Sequence, residues 1–134
     1  MDRVRDAMVV EPPQLDGSAT AQEAGEALDR PEVRAVFVSD EGRFLGVVTR
    51  KTLVREIVAA GRDPRTTELR SIVEAPQNTI GSELPLDEAF RFLEEHDLER
   101  VPVLEDGRLV GVLSRAVLQR RLAEDEPPEE PAES

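Results

Sequence analysis

The chain has 134 residues, of which 39% are hydrophobic, and a formal net charge of −12. This length suits one ordinary domain, or two half-size motifs that share a core. The acidic balance argues against binding to a nucleic-acid backbone, because proteins that do so bring Lys and Arg to the phosphates. The lack of Trp and Tyr also removes platforms on which bases could stack. The absence of Cys excludes disulfides, thiolate metal sites and Cys nucleophiles.

The N-terminal stretch MDRVRDAMVV begins with charged residues and lacks the apolar run of a signal peptide. No stretch of the chain approaches the roughly 18 consecutive apolar residues that a membrane-spanning helix needs. We therefore expect a cytoplasmic protein that does not bind a membrane.

The second half of the chain repeats the first half at an offset of 65 residues. Residues 4–57 align with residues 69–122 without a gap, and 13 of the 54 aligned pairs are identical. Most other positions expected in the core exchange one apolar residue for another, as Leu15 and Ile80 do. The chain is therefore predicted to be an internal duplication. Its predicted segments are copy one at 1–59, a linker at 60–68, copy two at 69–123 and an acidic tail at 124–134.

The first predicted elements of each copy are a short strand, around Leu15 or Ile80, and an amphipathic helix. Apolar residues at the i, i+3, i+4 and i+7 positions indicate the helix. These residues are Ala21, Ala24 and Leu28 in copy one, and Leu86, Ala89, Phe90 and Leu93 in copy two. The sequence TAQE at 20–23 predicts a capping box at the start of the first helix, and Pro85 suits the first turn of the other.

A hairpin and a second helix come next in each copy. AVFV (35–38) and RVPV (100–103) predict one strand, and FLGVV and LVGVL predict its antiparallel partner. In the turns between them, SDEG and LEDG, the glycine supplies a residue with positive φ. The predicted buried face of the second helix consists of Leu53, Val54, Ile57 and Val58 in copy one, and of Val117, Leu118 and Leu122 in copy two.

These elements predict an α+β fold in which a β-α-β-β-α unit occurs twice. One such unit cannot cover both faces of its small sheet, so we expect the copies to pack together about a pseudo-twofold axis. The linker at 60–68 is polar and rich in turn formers. The tail at 124–134 has too little apolar surface to offset its ordering entropy, and we expect it to be disordered.

The repeated unit resembles a CBS domain, and the tandem pair resembles a Bateman module. The resemblance is carried by the VPV-like strand, the DG hairpin and the following glycine and hydroxyl, as in LERVPVLEDGRLVGVLSR at 98–115, and by DAM at 6–8. It covers residues 3–123 and implies a sandwich-like fold of the two copies. It also implies that an adenosine-type ligand, such as AMP, ADP, ATP or S-adenosylmethionine, binds in a cleft between them, with no other cofactor required.

In the resembling family, the binding motif is G-h-x-[S/T]-x-x-[D/N]. Its hydroxyl and the helix N-terminus face phosphate, and its last residue holds the ribose hydroxyls. The motif falls on Gly46, Thr49 and Thr52 in copy one, and on Gly111, Ser114 and Val117 in copy two. Neither copy has Asp or Asn at the seventh place. Thr52 offers one weak hydroxyl and Val117 offers none, which puts ribose recognition in doubt at both clefts and more so at the second.

Four of these motif residues also have a structural interpretation. Thr49 and Ser114 each follow a strand and open a helix, where Ser and Thr commonly act as N-caps. Gly46 and Gly111 permit the close approach either of a ligand or of neighbouring backbone. The two interpretations are compatible at each position.

Three arginines are further candidates for ligand binding. Arg50 and Arg115 lie just inside helix starts, where a positive side chain opposes the helix dipole, so they indicate an anion nearby. The resemblance implies that Arg100 is a basic residue near the phosphates. The alternative for each of the three is a solvated arginine.

The sequence offers no support for catalysis. His96 is the only histidine, and the chain has no nucleophile elbow, no Walker-type loop and no metal-ligand cluster. We therefore predict a protein that is not an enzyme and has no metal site.

The leading hypothesis is a regulatory module that senses an adenosine-type ligand and signals to a protein partner that the sequence does not identify. Its better site is predicted in copy one, at Thr49, Arg50 and Thr52. The alternative is a structural or protein-interaction module that has lost nucleotide binding and acts through dimerisation. In either case the resemblance implies a homodimer.

Overall fold

The computed structural model describes residues 2–10 and 14–125, and it confirms the predicted α+β fold. The first half contains β1 (Val9–Val10), β2 (Gln14–Asp16), α1 (Ala21–Leu28), β3 (Val36–Asp40), β4 (Arg43–Val48) and α2 (Arg50–Leu53), which continues as a π-helix over Val54–Val58. The second half contains β5 (Ile80–Gly81), α3 (Leu86–Glu95), β6 (Arg100–Glu105), β7 (Arg108–Ser114) and α4 (Arg115–Asp125). Single 3-10 turns lie at Val4–Asp6 and Leu69–Ser71.

The strands form two sheets, one for each copy. Copy one has the order β2-β3-β4, and copy two has the order β1-β7-β6-β5. In each sheet the predicted hairpin is antiparallel, and the short strand before the first helix runs parallel to the first strand of the hairpin. The predicted β-α-β-β-α order is therefore confirmed in both copies.

Both hairpins turn through two residues with positive φ. The angles are 51° and 82° at Glu41 and Gly42, and 52° and 79° at Asp106 and Gly107. Such loops match the right-handed twist of the flanking strands. The glycine with positive φ was predicted, whereas the acidic residue before it shares the same conformation and was not.

The first helix of each copy buries the predicted face. In copy one, the Thr20 hydroxyl accepts a hydrogen bond from the Glu23 amide (3.2 Å), and the Glu23 carboxylate accepts one from the Thr20 amide (2.9 Å), so the capping box is confirmed. In copy two, Pro85 is the N-cap residue of α3, and Leu93 lies fully buried on its inner face. These helices cover one face of each sheet and complete its hydrophobic core.

The second helix of copy one differs from the prediction. Val54 and Val58 were expected in the core, but they are 59% and 74% exposed, while Ile57 is buried. This stretch is a π-helix, in which amides bond five residues back, as Ala59 does to the Val54 carbonyl at 2.8 Å. The π-helix does not by itself account for the exposure, because the equivalent residues of the regular helix α4, Gln119 and Ala123, are exposed as well.

Each copy has a first segment that packs in the other copy, residues 4–9 in copy one and residues 69–74 in copy two, and we call these the exchanged segments. The Val4 amide donates to the Leu84 carbonyl at 2.9 Å, and the equivalent Leu69 amide donates to the Ala19 carbonyl at 2.8 Å. Val4 belongs to the hydrophobic core of copy two, and Leu69 belongs to the core of copy one. This reciprocal exchange joins the two copies and gives them the predicted pseudo-twofold relation, since each contact recurs at the offset of 65 residues.

The remaining segments add little to the core. Residues 60–66 are exposed turns, and Thr67 is buried where the chain enters the exchanged segment. Of the predicted disordered tail, Glu124 and Asp125 belong to α4, and residues 126–134 lie outside the described residues. Among the helices of the described residues, none is both long and apolar enough to cross a bilayer.

Candidate functional site

The copy-one motif lies where β4 ends and α2 begins, and its two hydroxyl residues bond to each other. Thr49 Oγ1 accepts a hydrogen bond from the Thr52 amide (3.3 Å), and Thr52 Oγ1 accepts one from the Thr49 amide (3.1 Å). The two hydroxyl oxygens are 3.1 Å apart, and Thr52 is fully buried. Thr49 therefore has the capping role that its position suggested, and ligand contact at both residues stays a prediction.

Glu74 completes this group, although the sequence analysis did not single it out. Thr52 Oγ1 donates to Glu74 Oε1 at 3.0 Å, and the Arg55 guanidinium bonds to the same oxygen. The hydrogen bonds from Arg55 and then Thr52 hold the pKa of Glu74 below its ordinary value, and the charges of Arg55 and Lys51 add to this effect. An ionised carboxylate of the chain itself thus lies against the motif.

The backbone of Glu74 also explains Gly46. The Val47 amide donates to the Glu74 carbonyl (3.0 Å), and the Glu74 amide donates to the Val47 carbonyl (2.9 Å). A Cβ on Gly46 would lie 2.0 Å from the Glu74 carbonyl oxygen, and the φ of Gly46 is +148°. Gly46 therefore permits the approach of neighbouring backbone, which was one of its two predicted roles.

The structure gives Arg50 and Arg115 partners within the chain. Arg50 donates to the carbonyl oxygens of Leu28 and Arg30 at the C-terminal end of α1, where a cation complements the helix dipole. Arg115 is 23% exposed, and its guanidinium lies 3.8 to 4.0 Å from carboxylate oxygens of Glu94, Asp97 and Glu99. Neither arginine lines the cleft described below.

The copy-two motif has the same backbone but a looser cap. The Val117 amide donates to Ser114 Oγ over a long distance of 3.4 Å. Strand β1 pairs with β7 beside Gly111, and a Cβ on Gly111 would lie 2.7 Å from the Val9 carbonyl oxygen. Val9 is the residue equivalent to Glu74, and its side chain is apolar and carries no charge.

A cleft of about 1070 Å³ opens between the copies beside the second motif. Ser114 and Val117 line it, together with apolar side chains of both copies. The apolar residues include Leu15, Val33 and Phe37 of copy one, and Pro102 and Val112 of copy two. A cleft of this size with mainly apolar walls is typical of small-molecule sites.

Charged side chains surround the cleft, and three of them are arginines. Arg100 was predicted from the resemblance, whereas Arg30 and Arg34 of copy one were missed. The position of Arg34 in the sequence could have indicated it, because Arg34 lies just before the first hairpin strand of copy one and Arg100 begins that strand in copy two. Three residues with carboxylates, Glu26, Glu32 and Glu99, line the cleft as well.

The predicted site residues therefore fall into two groups. Arg100 and Ser114 line the cleft between the copies, and Gly111 lies in β7 next to Val112, which lines it. The other five, Gly46, Thr49, Arg50, Thr52 and Arg115, are outside its lining, although Gly46 also lies next to a lining residue, Val47. Within residues 2–10 and 14–125, no group of three or more His, Cys, Asp or Glu side chains is placed to hold a metal ion.

Comparison with known proteins matches both copies to one family. The model of the CBS domain matches residues 4–59 and 69–124, which confirms the predicted duplication. Hypoxic response protein 1 of Mycobacterium tuberculosis is 32% identical over 85 residues, which are 63% of this chain and 59% of that protein. This match therefore spans about three fifths of the relative's length.

Solved structures of similar fold support the same assignment. A crystal structure of Hypoxic Response Protein I with two coordinated zinc ions is 25% identical, has a TM-score of 0.76 and covers 90% of this chain and 99% of that chain. The hexameric CBS-CP12 protein from bloom-forming cyanobacteria is 22% identical, with a TM-score of 0.63, and the match covers 97% of this chain and 77% of that chain. The second likeness concerns the fold alone.

Proposed function

This chain belongs to the CBS domain family, whose tandem pairs are generally regulatory rather than catalytic, and from that membership we propose that it senses an adenosine-type ligand. The ligand is AMP, ADP, ATP or S-adenosylmethionine, and it binds in the cleft between the two copies. The observation that carries this proposal is the cleft of about 1070 Å³, which both copies line and which reaches Ser114. This position differs from the site that the sequence analysis favoured in copy one.

The chemistry of the cleft suits such a ligand. Apolar side chains such as Val33, Phe37 and Pro102 offer a surface for the adenine base, whose burial stabilises the complex. Ser114 and the N-terminus of the 11-residue helix α4 offer a hydroxyl and the positive end of a helix dipole to a phosphate. Arg100 adds a positive charge from the same copy.

Ligand binding acts as a signal only if it changes the relation between the copies. Arg30 and Arg34 of copy one and Arg100 of copy two face one cleft, so a bound anion attracts both halves of the molecule. The ligand favours the arrangement in which these contacts are formed, and only its differential affinity for that arrangement can shift the equilibrium. The altered arrangement is then recognised by a protein partner.

Calorimetric titration with AMP, ADP, ATP and S-adenosylmethionine tests this proposal. Arg100→Ala should weaken binding at least about tenfold, because a hydrogen bond to a charged group contributes about 1.5 to 3 kcal/mol. Arg91→Ala, which removes an exposed arginine of α3 outside the cleft, is the matched control and should bind as the wild type does. No heat and no thermal shift with any of the four ligands at millimolar concentration would refute nucleotide sensing.

A second candidate function is a dimerisation module without nucleotide binding. The observation in its favour is the pair of exposed valines, Val54 and Val58, which lie one turn apart on the second helix of copy one. Burial of this pair against a second copy would remove apolar surface from water. The hexameric CBS-CP12 protein is a precedent for self-association in this fold.

Sedimentation velocity tests this second candidate. We expect a homodimer at tens of micromolar protein, and a monomer after Val54→Asp combined with Val58→Asp. Combining Ala59→Asp with Ala60→Asp introduces the same charges at exposed positions next to Val58 and is the control. A wild-type monomer at this concentration would contradict the homodimer.

A further inference from the structure

The two motifs share their backbone contacts but differ in one covering side chain. In copy one, Val47 pairs with Glu74, and in copy two the equivalent Val112 pairs with Val9. Both crossing segments bring a carbonyl oxygen close to the motif glycine. Backbone cover is therefore common to the two copies, and what distinguishes them is the carboxylate of Glu74.

This carboxylate uses the hydrogen-bonding groups that a ligand of copy one would need. The proton of the Thr52 hydroxyl goes to Glu74, so the hydrogen bond between the two hydroxyls is donated by Thr49 to Thr52. The Thr49 oxygen in turn accepts from the Thr52 amide. Both hydroxyls thus have partners within the chain.

Two nearby arginines also have partners within the chain. Arg55 forms ion pairs with Glu74 and with Glu56. Arg50 is turned towards the end of α1. An external anion would have to displace Glu74 from these partners. It would also be repelled by the negative charge of the Glu74 carboxylate.

We propose that the Glu74 carboxylate closes the copy-one motif, because it occupies the motif as an anion that belongs to the chain itself. The chain then has one ligand site, in the cleft beside the copy-two motif. The assignment of the remaining site rests on the proposed function, whereas the closure of copy one rests on the contacts of Glu74 alone. The same contacts fasten the exchanged segment to copy one, because Glu74 is bound through both its backbone and its side chain.

Nuclear magnetic resonance with AMP and with inorganic phosphate as probes tests the closure. In the wild type, the amide signals of residues 49–53 should not move at 10 mM of either probe, a concentration on the order of a weak anion site. Glu74→Val introduces the residue type found at Val9 and removes the Glu74 carboxylate from Thr52 and Arg55. In this variant the same signals should move when either probe is added. Glu56→Val is the matched control, because it removes the other carboxylate bonded to Arg55 and leaves Glu74 in place.

The outcomes for the two proposals are separate. Movement of residues 49–53 in the wild type, or their immobility in Glu74→Val, would overturn the closure by Glu74. If Glu74→Val does not fold, Glu74→Gln provides the same test, since it removes the charge and keeps the shape. Nucleotide sensing is tested by a different set of signals. If the wild type does not bind AMP in the cleft, the amide signals of residues 114–118 will not move when AMP is added.

The reciprocal variant tests the single site by calorimetry. Val9→Glu places a carboxylate in the cleft of copy two, and we expect it to weaken AMP binding about tenfold or more through repulsion of the phosphate. Val9→Leu preserves an apolar side chain and should bind AMP as the wild type does. A wild-type stoichiometry of two AMP per chain would overturn the inference.

Discussion

In copy one, the exchanged segment ends in Glu74, whose carboxylate bonds to Thr52 and Arg55, whereas in copy two the equivalent position is Val9 and a cleft lies beside it. The backbone pairings of these segments with β4 and β7 are the same. The duplication has thus retained the framework while the side chains over the two motifs have diverged. One motif holds the two copies together, and the other lies beside the cleft.

The largest predicted effect concerns the exchange of segments between the copies. Leu69 enters the core of copy one and is fully buried, as is its equivalent, Val4, in the core of copy two. Leu69→Ala should lower the free energy of unfolding by about 3 to 5 kcal/mol, because it leaves a cavity. Val4→Ala removes fewer methyl groups and should cost about 2 kcal/mol. Urea unfolding measures both values.

Exposed valines give the control for this comparison. Val58→Ala alters a side chain that is 74% exposed and should change stability by no more than about 0.5 kcal/mol. A loss below about 1 kcal/mol for Leu69→Ala would mean that the exchanged segment is not part of the core.

The next effect compares the two motif glycines. At Gly46→Ala the new Cβ would meet backbone, the Glu74 carbonyl, and the residue would keep an unfavourable φ of +148°, so we expect a loss of about 2 to 4 kcal/mol. At Gly111→Ala the nearest atom belongs to the Met8 side chain, which can rotate, although the Val9 carbonyl is also close. Gly111 has no positive φ, and we expect about half the cost.

Thermal and urea unfolding of the two alanine variants measure this difference. Gly46→Ser is a second test, because it adds a Cβ at the same place as Gly46→Ala does. Equal losses at positions 46 and 111 would contradict the tighter approach of backbone in copy one.

The fold was predictable from the sequence because its signals are local and occur twice. The Thr20 capping box, the glycine turns and the apolar positions of α1 and α3 are each specified by residues close in sequence. One feature of the fold was not predictable in this way. The π-helix over Val54–Val58 depends on a change of hydrogen-bond register, which the residue pattern does not specify.

The site was predicted only in part, because its asymmetry arises from long-range contacts. Glu74 lies 22 residues from Thr52 in sequence, and no motif connects the two. Arg34 likewise reaches the cleft only because the copies face each other. The motif alone favoured Thr52 over Val117 because Thr52 has a hydroxyl. The motif does not show that this hydroxyl already binds Glu74.

A smaller effect distinguishes the hydroxyls that begin the two second helices. Thr49 is a reciprocal cap, so Thr49→Ala should cost about 1 kcal/mol and leave AMP affinity unchanged within about twofold. Ser114 accepts only a long hydrogen bond, so Ser114→Ala should cost less stability but should weaken AMP binding about fivefold to tenfold. Urea unfolding and calorimetry on each variant measure the two quantities. Loss of AMP binding in Thr49→Ala with normal binding in Ser114→Ala would reverse the assignment of the two copies.

The smallest effect is the pH dependence that Glu74 adds to copy one. Hydrogen bonds from Arg55 and Thr52 lower its pKa in the folded protein, so the ionised carboxylate stabilises the fold above its unfolded pKa, near 4.5, and this contribution is lost as the pH falls through the folded pKa. The side chain is 42% exposed, and solvent screening therefore makes the contribution a small part of the total stability. Urea unfolding at about pH 7 and about pH 3 should show a larger loss for the wild type than for Glu74→Gln, whose amide does not titrate in this range. Equal losses would mean that the carboxylate gains nothing from Arg55 and Thr52, and the contrast with Val9 would then be one of shape alone.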